Sequence, residues 1–349
     1  MTLSTPQNRA QNTNPYWSDY TDKQLLGLRM CDLRLKIEGS ELRARIDQLY
    51  GELAERGLRF RPPCWLSSEW FSPQESPGIA IPFYLAHPRL VRLERRLMKD
   101  VEGGTRQWCM QLLRHEAGHA YETAYRLGRR KRWREIFGST AKPYPDFYTP
   151  EPYSRKYVLH LDWWYAQSHP VEDFAETFAE WLRPNSQWKT RYQGWPALEK
   201  LEYVDELMSE LAGEAPRIKP AGRIEPLDTL KEKLREHYWK KQERYSTAYP
   251  SFYDADLLTL FPPVQGRSKR PPASAFLRRI GRELPRRIAS WTGEYAYTIN
   301  LVLKDMIQRC RELDLRVSRP DQEIHLEAAI LLTMQTMNYL HGRKHRLAV

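Results

Sequence analysis

Gln111 to Tyr125 reads QLLRHEAGHAYETAY, and the fold turns on it because His115, Glu116 and His119 stand there with the spacing H-E-x-x-H. Side chains four apart on a helix lie on one face about one turn apart, so both imidazoles can point at one zinc with Glu116 beside it. The rival reading is a polar helix face carrying two surface histidines. Against it, Trp108, Cys109, Leu112, Leu113, Ala117 and Ala120 are apolar enough to bury the helix. A buried histidine needs a partner, and a metal supplies one.

Such a site needs a third ligand. The metzincin pattern puts Gly and His after the motif, where this chain has Glu122 and Tyr125, so that class is excluded. The short-gap gluzincin pattern wants a glutamate where the chain has Gly138 and Ser139. Further on, Ser168 to Leu182, SHPVEDFAETFAEWL, reads as a second amphipathic helix with Pro170 in its first turn. Glu172 and Glu176 are four apart and share a face, with Phe174, Ala175, Phe178, Ala179 and Leu182 as the packing side. A carboxylate pair is thereby offered to the metal.

HEAGH together with EDFAE, and with Tyr165 seven residues before Glu172, resembles the putative zinc-binding metallopeptidase family of bacteria and, more distantly, the lethal-factor-type gluzincins. The similarity runs through LHLDWWYAQSHPVEDFAETFAEWL, Leu159 to Leu182, and extends over about residues 21 to 215. The resemblance implies an α+β, predominantly helical, zincin-like fold with a small N-lobe sheet and a helical C-lobe. It implies one zinc per chain held by His115, His119 and Glu172. It makes Glu116 the general base, Glu176 a carboxylate that orients a ligand histidine, and Tyr165 the donor that stabilises the tetrahedral intermediate. Taken alone, Tyr165 beside Trp163 and Trp164 would read as an ordinary packed aromatic.

The residue types suit that chemistry. Zinc with three protein ligands keeps a fourth position for water, whose pKa falls toward about 7. A carboxylate beside it can take a proton and pass it to a leaving nitrogen. A neutral phenol aimed at a developing oxyanion is worth about 3 kcal/mol.

The 349 residues are 41% hydrophobic with 12 Trp, enough for one large or two modest domains with a real core. No apolar run reaches a membrane span and the N-terminal MTLSTPQNRAQNTNPYW has no apolar leader core, so the reading is cytoplasmic, with no membrane partner. Cys31, Cys64, Cys109 and Cys310 form no C-x-x-C pair and read as free thiols rather than a disulfide framework or zinc ribbon.

Residues 1–16 are expected to be a flexible arm, 17–215 the zincin catalytic domain, and 216–349 a basic helical region that completes the catalytic lobe. Within the second stretch, Asp32 to Ile37, DLRLKI, alternates like a half-buried strand, and Ser40 is expected to cap a helix to Glu55. Trp65 to Phe71 and Gly78 to Leu85 read as strands. Pro82 makes the second an edge, which either binds extended substrate or is simply covered. Helices are expected over Pro88 to Val101, Thr105 to Leu127 and Trp195 to Ala212. Between them, the basic run Arg126 to Arg134 reads as a solvated face or a rim for acidic substrate, and the Pro-rich Phe137 to Tyr157 as a wall of the cleft.

The C-terminal third reads as helices over Leu227 to Tyr245, Ala273 to Trp291, Tyr295 to Leu313 and Asp321 to His341, with a Pro-rich basic loop at Phe261 to Ser274. The last helix is expected to be buried through Ile324, Leu326, Ala328, Ile330, Leu331, Met334 and Met337. Residues 231–349 hold 22 Lys and Arg against 13 Asp and Glu, a net +9 of the chain's +11. That asymmetry fits a helical lobe of the peptidase, or a surface for nucleic acid or an acidic partner, although no helix-turn-helix or zinc-finger pattern appears. His325, His341 and His345 lack metal-ligand companions. The readings carried forward are therefore a zinc metallopeptidase acting on a peptide or protein substrate, a basic binding protein with structural zinc, and a zinc hydrolase of a non-peptide amide.

Overall fold

A computed structural model describes residues 15–145, 147–148, 151, 154–244, 254–262, 270–341 and 347–348. The chain forms two compact units, one from Met1–Leu93, Glu102–Lys142 and Pro152–His237, the other from Glu94–Val101, Pro143–Glu151 and Tyr238–Val349. Most of the expected N-terminal arm, the middle of the basic Pro-rich loop, His345 and parts of the Phe137 to Tyr157 stretch lie outside the described residues. The described chain is predominantly helical with a small two-stranded sheet, the α+β character expected.

The first unit is organised by the packing of two helices, Arg106–Tyr125 and Pro170–Leu182, hereafter the HEAGH and EDFAE helices. The HEAGH helix starts at Thr105, whose hydroxyl accepts from the Trp108 N–H at 3.2 Å, and stops where Arg126 turns left-handed at φ 53°. The EDFAE helix starts at His169, whose Nδ1 accepts from the Val171 N–H, with Pro170 in its first turn, where a missing N–H costs nothing. Their backbones approach closely at Gly118: a Cβ there would lie 2.8 Å from the Ala175 Cα. Tyr121 stacks on Phe178 beside this crossing, ring centroids 5.2 Å apart. A buried two-pronged ion pair, Arg114 to Glu52 at 2.8 Å on each prong, ties the HEAGH helix to the Glu41–Glu55 helix.

Contrary to the amphipathic reading, the EDFAE helix is buried on every side from Val171 to Leu182. Its acids are therefore all neutralised internally, Glu172 and Glu176 by histidines, Asp173 by Lys200 at 2.6 Å, and Glu180 by Arg183 at 2.7 Å and Arg191 at 3.1 Å.

Several local expectations change. DLRLKI is not a strand: Met30–Leu33 is a 3-10 turn, because the N–H groups of Met30 and Cys31 bond the carbonyls of Glu232 and Leu230 at 2.9 Å. Ser40 stands at the start of the Glu41–Glu55 helix, but its hydroxyl donates to the Ile37 carbonyl instead of capping. The strands are shorter than expected, β1 at Cys64–Ser67 and β2 at Ile79–Pro82, paired in parallel. Of the two readings of β2, the covered one holds. Ile79, Ala80 and Ile81 are fully buried, and the strand's other edge is met by Phe71, which exchanges hydrogen bonds with Ala80. In the basic run, Arg130 and Arg132 pair with Glu210 and Glu206 while Trp133 is buried, the pattern of a solvated face. Trp195 to Ala212 contracts to Ala197–Glu210, and Leu227 to Tyr245 to a turn at Leu227–Thr229 and a helix at Leu234–Arg244.

The second unit has its own core, with Leu257, Phe261, Phe276, Leu277, Ile299, Met306 and Ile324 at its centre. The helix expected over Ala273 to Trp291 is two, Ala273–Ile280 and Leu284–Thr292, parted at Gly281 and restarted with Pro285 in the first turn. Ala296–Glu312 and Asp321–His341 follow, and a short antiparallel pair joins Phe147–Tyr148 to Leu347–Ala348. The last helix departs from expectation. Ile324, Ala328 and Leu331 are buried, but Leu326, Ile330 and Met334 are 65%, 58% and 39% exposed. No helix among the described residues is long and apolar enough to cross a membrane.

Candidate metal centre

The helix crossing brings His115, His119 and Glu172 to one point. His115 Nε2, His119 Nε2 and Glu172 Oε2 form a triangle with every side 3.0 Å. His115 and Glu172 are buried and His119 is partly so. Two neighbouring turns of the HEAGH helix supply the imidazoles, and the first turn of the EDFAE helix supplies the carboxylate. The small pair Gly118 and Ala175 lets the two backbones come this near.

Glu176, one turn after Glu172, fixes the first imidazole from behind. Its Oε1 lies 2.8 Å from His115 Nδ1 while its Oε2 accepts the Leu161 N–H at 2.8 Å. With Nδ1 donating to the carboxylate, His115 turns its Nε2 lone pair toward Glu172 and His119, the tautomer a metal ligand needs. Tyr165 sits on a 3-10 turn, Asp162–Gln167, with its ring 5.6 Å from that of His115. The segment before it is anchored to the HEAGH helix by a pair of hydrogen bonds, Gln111 Nε2 to the His160 carbonyl at 3.0 Å and His160 Nε2 to the Gln111 carbonyl at 3.1 Å. Sequence reasoning missed Gln111, His160 and the Leu161 N–H. Gln111, one turn before His115, was the only one with a helical spacing to betray it.

The electrostatics call for a cation at the triangle. Burial pulls His115 down, but the hydrogen bonds and charges of Glu172 and Glu176 outweigh it and hold the imidazole well above the ordinary histidine range. Burial likewise pushes Glu172 up, yet His119 and His115 hold it well below the usual carboxylate range. Two nitrogen lone pairs and a carboxylate oxygen this close repel unless a positive charge lies among them. A proton serves one pair at a time, whereas a metal ion serves all three. Two histidines and a carboxylate are a zinc donor set, and ligands about 2.0–2.2 Å from one ion are separated by little more than the observed spacing. The residues fit zinc.

Glu116 is buried beside the triangle, and burial, partly offset by His119 and His115, raises its pKa. Its Oε2 is buried without a hydrogen-bond partner among the described residues. Asp173 belongs elsewhere: with Lys200, Arg132, Glu135, Lys156 and Glu199 it lines a separate concavity of about 580 Å³.

A buried His-His-Glu cluster carried on two crossing helices is a candidate zinc site. Residues 104–207 match the model of the family described as putative zinc-binding metallo-peptidase. Every residue named at this centre, His115, Glu116, His119, Tyr165, Glu172 and Glu176, lies within the matched stretch. No curated protein and no solved structure matches the chain.

Proposed function

We propose that the protein is a zinc-dependent metallopeptidase of the gluzincin type, on a zincin-like fold, that hydrolyses peptide bonds in a peptide or protein substrate. One zinc per chain would be held by His115, His119 and Glu172. The observation that carries the reading is the His115–His119–Glu172 triangle with, beside it, a buried Glu116 oxygen that has no hydrogen-bond partner among the described residues. A structural zinc is closed by four protein ligands and has no use for a neighbouring orphan carboxylate, which weighs against the binding-protein reading. Four free thiols fit a reducing compartment, and the cytoplasm remains our assignment.

Bound zinc would supply Lewis acidity, polarising the scissile carbonyl and acidifying a water. The protein's own groups do the rest. Glu116, with its pKa raised, takes a proton from the attacking water at Oε2 and delivers it to the leaving nitrogen. Tyr165 donates its phenol hydrogen to the oxyanion that develops on the carbonyl. Glu176 keeps His115 in the ligating tautomer.

Two expected outcomes test this. Removing zinc with dipicolinate abolishes cleavage of a proteome-derived peptide mixture read by mass spectrometry, and one equivalent of zinc per chain restores it. Cleavage that survives complete chelation contradicts the proposal. Tyr165→Phe lowers kcat by about 10²-fold, the scale of one oxyanion donor, with zinc content unchanged; an unaltered kcat removes Tyr165 from the reaction.

A further inference from the structure

Asp173 stands one residue after Glu172 on the EDFAE helix, about 100° further round, and so faces Lys200 instead of the imidazoles. It is 3% exposed. Lys200 Nζ donates to its Oδ2 at 2.6 Å, but its Oδ1 is buried with no hydrogen-bond partner among the described residues. An ion pair built for stability alone closes both oxygens, as Arg114 does for Glu52 at 2.8 Å on each prong. Lys200 is also unfinished. Of its three N–H donors one serves Asp173, while Nζ lies 4.2 Å from the centre of the Tyr157 ring and 6.0 Å from that of Phe137.

Both residues line the concavity of about 580 Å³ described above, a size that suits a small molecule. Asp173 and Phe137 are buried at its floor, Tyr157 and Ile136 are half-buried along its wall, and the other charged side chains are exposed at its rim. Arg132, Lys156 and Lys200 stand against Glu135, Asp173 and Glu199, so the concavity has no net charge.

We propose that this concavity binds a free α-amino acid with an apolar side chain. The floor selects the head group by elimination. A simple anion would meet Asp173, a simple cation would meet Lys200, and an apolar molecule would leave Oδ1 unsatisfied. An ammonium and a carboxylate on one carbon answer both charges: the ammonium donates to Asp173 Oδ1, and the carboxylate accepts from Lys200 Nζ. Either end of a peptide offers only one of the two. The amino acid's side chain lies against Phe137, Tyr157 and Ile136. None of these groups belongs to the His115–His119–Glu172 triangle, so occupancy does not depend on zinc.

Isothermal titration calorimetry on the full chain tests this with L-phenylalanine. One site per chain is expected, with a Kd of about 0.1–1 mM, the range for a ligand of this size. Amino acids also chelate zinc, so the titration is repeated after zinc is removed with dipicolinate, and the affinity should be unchanged. 3-Phenylpropionate and phenethylamine each lack one of the two charges and should bind at least about tenfold more weakly, the worth of one charge-assisted hydrogen bond. Ile136→Trp fills the concavity without touching the ion pair and should abolish binding at an unchanged melting temperature. Asp173→Asn should weaken binding by at least about tenfold; it also strips buried Lys200 of its counter-charge, so if it does not fold, Ile136→Trp decides. No binding at about 10 mM, equal affinity for either analogue, undiminished binding to Ile136→Trp, or binding lost with the zinc would each overturn the proposal.

Discussion

Replacing Glu172 by alanine is expected to strip the protein of zinc. Structural zinc sites bind with about 10–16 kcal/mol in total, so one of three ligands is worth a third of that, about 10³-fold in affinity or more. The substitution also removes the carboxylate that, among the described residues, bonds both imidazoles of the triangle, at 3.0 Å each. His119 then has no acidic partner in the triangle, and His115 keeps only Glu176. Glu176→Ala should be milder, about 10–100-fold in zinc affinity, because it loosens the orientation of His115 without removing a donor. Competition against a zinc-selective chelator measures both. Equal losses for the two variants would reverse or merge the roles assigned to them, and full zinc retention in Glu172→Ala would end its assignment as a ligand.

Gly118→Val is expected to damage stability and metal affinity together. Even a Cβ at this position would lie 2.8 Å from the Ala175 Cα and 3.2 Å from its carbonyl oxygen, both backbone atoms that cannot swing aside. The helices must part, and overpacking of this kind costs about 3 kcal/mol. For a unit of this size that is a fall of about 10 °C in Tm. Because Glu172 and Ala175 share the displaced helix, the carboxylate moves away from the imidazoles and zinc affinity falls as well. Alanine should act in the same direction but less, since it gains about 1 kcal/mol of helix propensity over glycine. Calorimetry with and without zinc separates the two effects; an unchanged Tm in Gly118→Val would mean the crossing is looser than the structure has it.

The centre was legible in the sequence where a periodicity carried it. H-E-x-x-H and E-x-x-x-E are helical spacings, and each pair does share a face. What spacing could not convey was which of Glu172 and Glu176 meets Nε2 of His115 and which meets Nδ1; only the resemblance distinguished them, and the geometry of the crossing is what creates the difference. Gly118 lay inside the motif, but its purpose is visible only against Ala175. The anchoring of the Tyr165 segment by Gln111 and His160 depends on a contact between residues 49 apart, beyond any local pattern. DLRLKI misled because alternation describes burial rather than hydrogen bonding: the residues just before it, Met30 and Cys31, bond the carbonyls of Glu232 and Leu230, and the Asp32 N–H closes a turn on the Arg29 carbonyl. The last helix misled in the other direction: apolar residues on both faces read as full burial, whereas the unit's own core covers one face alone.

The central claim, that Glu116 drives peptide hydrolysis at a zinc site, is tested most directly by mapping new protein N-termini in a lysate treated with the wild type or with Glu116→Gln at equal zinc content. New termini should form with the wild type and fall by about 10²–10⁴-fold in the variant, the contribution of a general base. Equal numbers of new termini from both proteins, each carrying one zinc, would contradict the account.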